Sequence, residues 1–276
     1  MRMNYPIQTL LSPARRWRPA PLILASMVFH FALLGAWGTS AISGLFLLCA
    51  LAANHLCIAL FGMWPRSRML GDNRVRLPDR SAARGEVSLT FDDGPDPNVT
   101  PKVLDLLDEY QAKASFFCVG EKVRAHPTIV AEILRRGHSV ENHSQRHSNF
   151  FACLGLKTLL RDIEATQQEI GAASGRRPLF FRAPMGLRSP LLDPVLHRLG
   201  LTYVSWTRRG FDTVSRDAGA VVRRLNHGLA AGDILVLHDT RHAPNDDPLV
   251  LLALPQVLKQ ICDTGLRSVS LPMALQ

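Results

Sequence analysis

The sequence predicts an α/β protein: a distorted (β/α) barrel of about seven parallel strands, preceded by a two-helix transmembrane hairpin. Three observations carry that prediction. Two apolar stretches near the amino terminus, about 22–37 and 41–64, contain no Asp, Glu, Lys or Arg. From Glu86 onward, short apolar runs alternate with amphipathic ones, the pattern of a parallel sheet covered by helices. Asp92, Asp93, Arg182, Trp206 and His238 each fall at the carboxyl end of a strand-like run, and in a barrel those ends share one face. An open doubly wound sheet would show the same alternation, and it is the placement of these residues that favours the barrel.

In the amino-terminal segment, residues 1–64, "AISGLFLLCALAANHLCIALFGMW" is long enough to cross a hydrocarbon core of ~30 Å, and "LILASMVFHFALLGAW" is just long enough. A cleaved signal peptide accounts for the first, with Arg15, Arg16 and Arg18 as its basic region, but has no need of the second. Two helices joined by Gly38-Thr39-Ser40 account for both. His30, Asn54 and His55 lie inside them and are expected to find partners in the neighbouring helix. Arg2, Arg15, Arg16 and Arg18 precede the pair, Arg66, Arg68, Arg74 and Arg76 follow it, and the turn is uncharged. Basic flanks stay in the cytoplasm, which places both termini and the following domain inside, on a two-pass inner-membrane protein.

Residues 65–85, rich in Arg and Pro, read as a basic linker beside anionic lipid. The net charge of +9 is therefore assigned to the membrane surface. No basic motif interleaved with aromatic residues points to nucleic acid. The five cysteines form no CxxC pair, which excludes a disulfide framework or zinc ribbon and fits a reducing compartment.

Residues 86–276 carry the alternating pattern and read as one domain. "EVSLTF" is a strand, and Thr100-Pro101 caps and opens a helix to about Tyr110. "ASFFCVG" is a strand, Pro127 to Arg136 a helix closed by Gly137, and "HSVEN" a short strand. Leu156 to Ala173 is a helix and "LFFRAP" a strand. Ser189-Pro190 opens a helix that Gly200 ends. "LTYVSW" is a strand, Asp217 to Gly228 a helix, "DILVLHD" a strand, Pro248 to Asp263 a helix and "LRSVSL" the last strand.

In "TFDDGP" two carboxylates follow an apolar run. A turn explains Asp-Gly-Pro by itself, but not the rest of the chain. In "ENHSQRH", His143 and His147 are spaced to converge on one ion if the segment is helical or tightly coiled, and Asp93 supplies a third ligand, leaving positions on a divalent ion open. Asp92 is then free to act as general base toward a water, so one carboxylate fixes the ion and its neighbour moves the proton. Arg182 in "FFRAPMG" is placed to orient Asp92, and His238 in "LVLHD" to protonate a leaving amine.

These segments together resemble the polysaccharide deacetylase family, also called the NodB homology domain or carbohydrate esterase family four, over roughly Glu86 to Leu271. The resemblance implies Asp92 as base, Asp93, His143 and His147 as metal ligands, Arg182 as tether of the base and His238 as general acid. It also implies the Met185 backbone N–H as an oxyanion donor and a distorted barrel as the fold. Zinc is the first choice among divalent ions. The fourth motif departs: "VSWTRRGFD" has Ser205 where an Asp usually precedes the Trp. Trp206 still walls the site, and Asp212 is the nearest replacement carboxylate. The expected activity is hydrolysis of an N-acyl group, acetyl or formyl, from an amino sugar on a polyprenyl phosphate or another envelope precursor. A periplasmic polysaccharide or peptidoglycan deacetylase is the second reading. An inactive membrane-anchored sugar-binding protein is the third, and it has no need of the proton-transfer residues present.

Overall fold

The computed structural model describes residues 17–240 and 248–276. Arg2, Arg15 and Arg16 of the charge argument lie outside them. Helices α1 (Pro21–Gly38) and α2 (Gly44–Met63) are apolar around their whole circumference and mostly exposed, long and apolar enough to cross a membrane. Their connection is longer than the three expected residues, because Ser43 caps α2 by accepting from the Phe46 N–H at 3.2 Å. The helices touch through polar groups: Asn54 Nδ2 donates to Ser26 Oγ at 2.7 Å, and His30 and His55 meet edge to face at 5.1 Å.

The next elements are α3 (Asp79–Ala83), β1 (Glu86–Asp92), α4 (Thr100–Glu109), β2 (Ala114–Cys118), α5 (Gly120–Ala125), α6 (Pro127–Arg135) and β3 (Ser139–Asn142). They are followed by α7 (Leu156–Ser174), β4 (Phe180–Phe181), α8 (Leu192–Leu199), β5 (Thr202–Tyr203) and β6 (Arg208–Arg209). The chain ends with α9 (Ala218–Asn226), β7 (Ile234–His238), α10 (Leu249–Asp263), β8 (Arg267–Ser268) and α11 (Leu271–Ala274). Every strand pairing is parallel, in the order β5-β4-β3-β2-β1-β7-β6, with β8 added beside the start of β1. β5 and β6 end this path and follow one another in the chain without pairing, which leaves an incomplete barrel.

Alternation along β1 explains how the barrel is filled. Val87, Leu89 and Phe91 join the core beneath α4 and α10, while Ser88, Thr90 and Asp92 point to the other face. In β2, Phe116 belongs to the outer core and Phe117 to a second cluster with Phe180, Val204 and Ile234. A third cluster packs α7 and α8 against Phe181 and Tyr203. The register sets Asp92 opposite His238 on β7, so two strand ends bring the two side chains to one rim.

Four details differ from the sequence reading. Thr100 is the first helical residue and no cap: its hydroxyl donates to Asp239 Oδ2 at 2.6 Å. β4 and β5 hold two residues each: after the Val204 N–H donates to Phe181 O at 2.9 Å their pairing ends, and Val204 pairs with Arg74. β6 and α5 were not anticipated, since "RR" and "GEKVRA" lack a strand or core pattern of their own. Residues 73–77 are packed on the domain and do not hang as a loose connector. The Arg74 N–H donates to Tyr203 O at 3.0 Å, the Leu77 N–H donates to Gly232 O at 2.8 Å, and Leu77 enters the inner cluster. This strip covers the sheet edge where the barrel fails to close.

Candidate active site

Asp92 ends β1 on the inner face, where its Oδ1 accepts from Arg182 Nη1 at 2.6 Å. Arg182 is fully buried, and each guanidinium nitrogen is satisfied. Nη1 also donates to Thr90 Oγ1 at 2.8 Å, Nε to Val204 O at 3.2 Å and Nη2 to Ser205 O at 2.9 Å, with the Phe117 ring 4.1 Å below. A buried charge needs such a complete set of partners. Arg182 therefore has Asp92 as its carboxylate partner, with the Thr90 hydroxyl and two carbonyls taking its other N–H groups. Ser205 turns its hydroxyl away, donating to Asn73 Oδ1 at 2.8 Å.

Asp93 follows Asp92 but has a φ of 72°, which swings its carboxylate out of the strand alternation. That one backbone angle separates the two like charges. Asp93 Oδ1 lies 3.3 Å from His143 Nε2 and 3.1 Å from His147 Nε2. The segment carrying the histidines is a tight coil, with His147 at φ 49°. His143 Nδ1 donates to Arg182 O at 2.8 Å, which fixes the tautomer that turns the Nε2 lone pair toward Asp93. Asp93 Oδ1 is buried with no hydrogen-bond donor of its own. One carboxylate and two imidazoles whose ligand atoms lie within 4.8 Å of one another fit a divalent ion. Burial would raise the Asp93 carboxyl, but the His143 contact and the neighbouring imidazoles hold it well below the usual carboxylate range. Burial and then His143 lower His147, so its neutral, ligating form prevails.

His238 is held at two points by one side chain. Asp212 Oδ2 accepts from the His238 backbone N–H at 2.8 Å and Asp212 Oδ1 accepts from Nδ1 at 2.9 Å. Asp212 thus reaches the imidazole and not Arg182. Burial would lower this histidine, yet the Asp212 bond and charge, with Asp92 and Asp93, push it up to about 9.

Asp92, Asp93, His143, His147 and His238 share one cavity of about 180 Å³, which Met185 and Trp206 also line. Met185 stands at φ 56° in the turn after β4, and Gly186 beside it lies so close to Trp206 and Pro65 that a Cβ there would overlap both. Sequence reading missed Arg209 and Thr213, which also line the cavity. Their signal was absent because "TRRGFDT" carries no strand pattern.

A parallel half-barrel with these groups at its strand ends is that of a carbohydrate N-deacetylase. The sequence profile described as polysaccharide deacetylase matches residues 79–204. A peptidoglycan-N-acetylglucosamine deacetylase of Bacillus cereus is 31% identical over 192 residues, 69% of this chain and 88% of that protein. A chitooligosaccharide deacetylase of Sinorhizobium fredii is 31% identical over 164 residues, 59% of this chain and 76% of that one. The solved structure of the peptidoglycan deacetylase PdaC from Bacillus subtilis superposes with a TM-score of 0.63 at 28% identity, over 70% of this chain and 91% of that one. The chain belongs to the polysaccharide deacetylase family.

Proposed function

We propose that this protein hydrolyses the N-acyl group of an amino sugar, acetyl or formyl, giving a free amine and a carboxylate. The observation that carries the reading is the division of labour between Asp92 and Asp93, adjacent in sequence and turned to different partners. Asp93, His143 and His147 would hold a divalent ion, zinc first, and when bound it polarises the acyl carbonyl and makes a water more acidic. Asp92, fixed by Arg182 through one oxygen, accepts the proton of the attacking water at the other. The Met185 N–H holds the developing oxyanion and Trp206 walls the sugar. His238 is charged at neutral pH and delivers the proton to the departing nitrogen, while Asp212 steadies the imidazolium.

The substrate we favour is an acyl-amino sugar carried on a polyprenyl phosphate or similar envelope precursor, met at the cytoplasmic leaflet by a two-pass inner-membrane protein. Two apolar helices directly before the domain and the arginine distribution around them support this. The names of the relatives support a second substrate, wall polymer, which would need the domain outside. Purified full-length protein tested for acetate and formate release on lipid-linked sugar, chito-oligosaccharide and peptidoglycan separates the readings. Release from the lipid-linked sugar alone supports the first, release from polymer alone supports the second, and release from none overturns both.

A further inference from the structure

Arg209 stands apart from the other arginines around the site. Its strand neighbour Arg208 points the other way and is neutralised by the buried Asp233, which Arg76 also reaches. Arg182 is neutralised by Asp92. Arg209 lines the catalytic cavity, and among the described residues no carboxylate lies within ion-pair distance of it. Its guanidinium plane is packed on aromatic faces, 5.2 Å from the Trp206 ring centroid and 4.9 Å from that of Phe211. Phe211 is held there at φ 59°, a strained backbone for a bulky residue, and Arg224 flanks its ring at 5.7 Å. Stacking fixes the plane of an arginine and leaves its N–H edge to act as a fork toward an oxyanion. Trp206 is one wall of the cavity, so a group on this fork sits next to the sugar ring.

We propose that Arg209 forms an anion subsite beside the scissile amide, so that the favoured substrate is an acyl-amino sugar carrying a phosphate or a carboxylate close to its acyl group. This rests on the deacetylase reading and deepens it. A neutral chitin-like sugar would leave the cation unanswered inside the cavity. A sugar phosphodiester or a lactyl-substituted sugar would satisfy it. Which anion fills the fork also separates the two substrates above, since a phosphate marks a lipid-linked or nucleotide-linked sugar and a carboxylate marks a muramyl wall sugar.

Binding of N-acetylglucosamine, N-acetylglucosamine 1-phosphate and N-acetylmuramic acid to the metal-loaded full-length chain in detergent micelles is measured by calorimetry. One of the two anionic sugars should bind about tenfold or more tightly than the neutral one. Arg209→Gln should erase that preference, Arg209→Lys should retain part of it, and Arg216→Gln, at an exposed arginine outside the cavity, should retain all of it. The melting curve of each variant establishes that it is folded. A preference that survives in Arg209→Gln, or the absence of any preference in the unsubstituted chain, would overturn the subsite. Because binding is read without turnover, a chain that prefers the anionic sugars through Arg209 but never releases acyl groups supports the subsite and refutes the deacetylase reading. Normal turnover with no Arg209-dependent preference does the reverse.

Discussion

Asp92 and Asp93 coexist because one faces a buried guanidinium and the other two imidazoles, and their substitutions should separate accordingly. Asp92→Asn should retain the divalent ion and lose turnover by about 10³-fold or more, whereas Asp93→Asn or His143→Ala should lose the ion as well. Metal content and rate of the purified variants decide it, and equal metal loss in Asp92→Asn would reassign that residue as a ligand. His238 titrates near 9, so the proton it donates is present from neutral pH and lost as pH rises through about 9, which sets an alkaline limb in the rate. Asp212→Asn removes the bond and charge that raise it, so the limb moves to lower pH and the rate at pH 8 falls about tenfold. A pH profile that does not move would dismiss Asp212 as the positioning residue. At this scale the sequence showed a good deal, since "TFDDGP", "HSQRH" and "LVLHD" bring their groups to one cavity. It did not show that Asp212 serves His238 and not Arg182, because that choice depends on the path of the loop after β6. Nor did it show Arg209, whose meaning comes from the two rings it rests on.

Strand β1 was legible because seven buried residues alternate strictly between an apolar outer set and a polar inner one. The two-residue strands β4, β5 and β6 were not, because their pairing is decided by the partners they meet and not by their own pattern. Glu86, at the start of β1, shows how the barrel floor is tied. Its carboxylate accepts from Ser81 Oγ at 2.5 Å, from Arg84 at 2.7 Å and from Arg267 on β8 at 2.6 Å. Burial would raise this carboxyl, but the Arg84, Ser81 and Arg267 bonds lower it to about 2. Its folded pKa is below its ordinary value, so its contribution is complete above about 4.5 and disappears as pH falls through about 2. Glu86→Gln should cost about 2 kcal/mol at neutral pH and flatten that acid dependence, as read by denaturant melts across pH. The strip 73–77 makes a second test: Leu77→Ala should cost about 2–4 kcal/mol, since its side chain plugs the inner cluster at the open edge. A neutral result would mean that the strip is only laid on the surface.

For the whole molecule, the joint between helix and domain gives the site its setting. The Arg188 N–H donates to Gly62 O in the last turn of α2 at 3.0 Å, and Pro65 packs on Gly186 at the wall of the cavity. The end of the apolar helix pair and the wall of the catalytic cavity are therefore in direct contact, in keeping with the membrane-surface site proposed above. The cytoplasmic placement proposed above rests on charge alone and is tested by fusion after Gln276: a fluorescent reporter should be active and alkaline phosphatase silent. Strong phosphatase activity from an intact fusion would place the domain outside and make wall polymer the substrate.

The central claim, that an ion held by Asp93, His143 and His147 and a proton relay of Asp92 and His238 remove an acyl group from an amino sugar, is tested most directly by acyl release from purified full-length protein. Acetate or formate should appear one for one with new amino groups on the sugar, stop when a chelator strips the ion, and resume when zinc is returned. Product formation that is unaffected by stripping the ion, or no release from any acyl-amino sugar by the zinc-loaded chain, would contradict it.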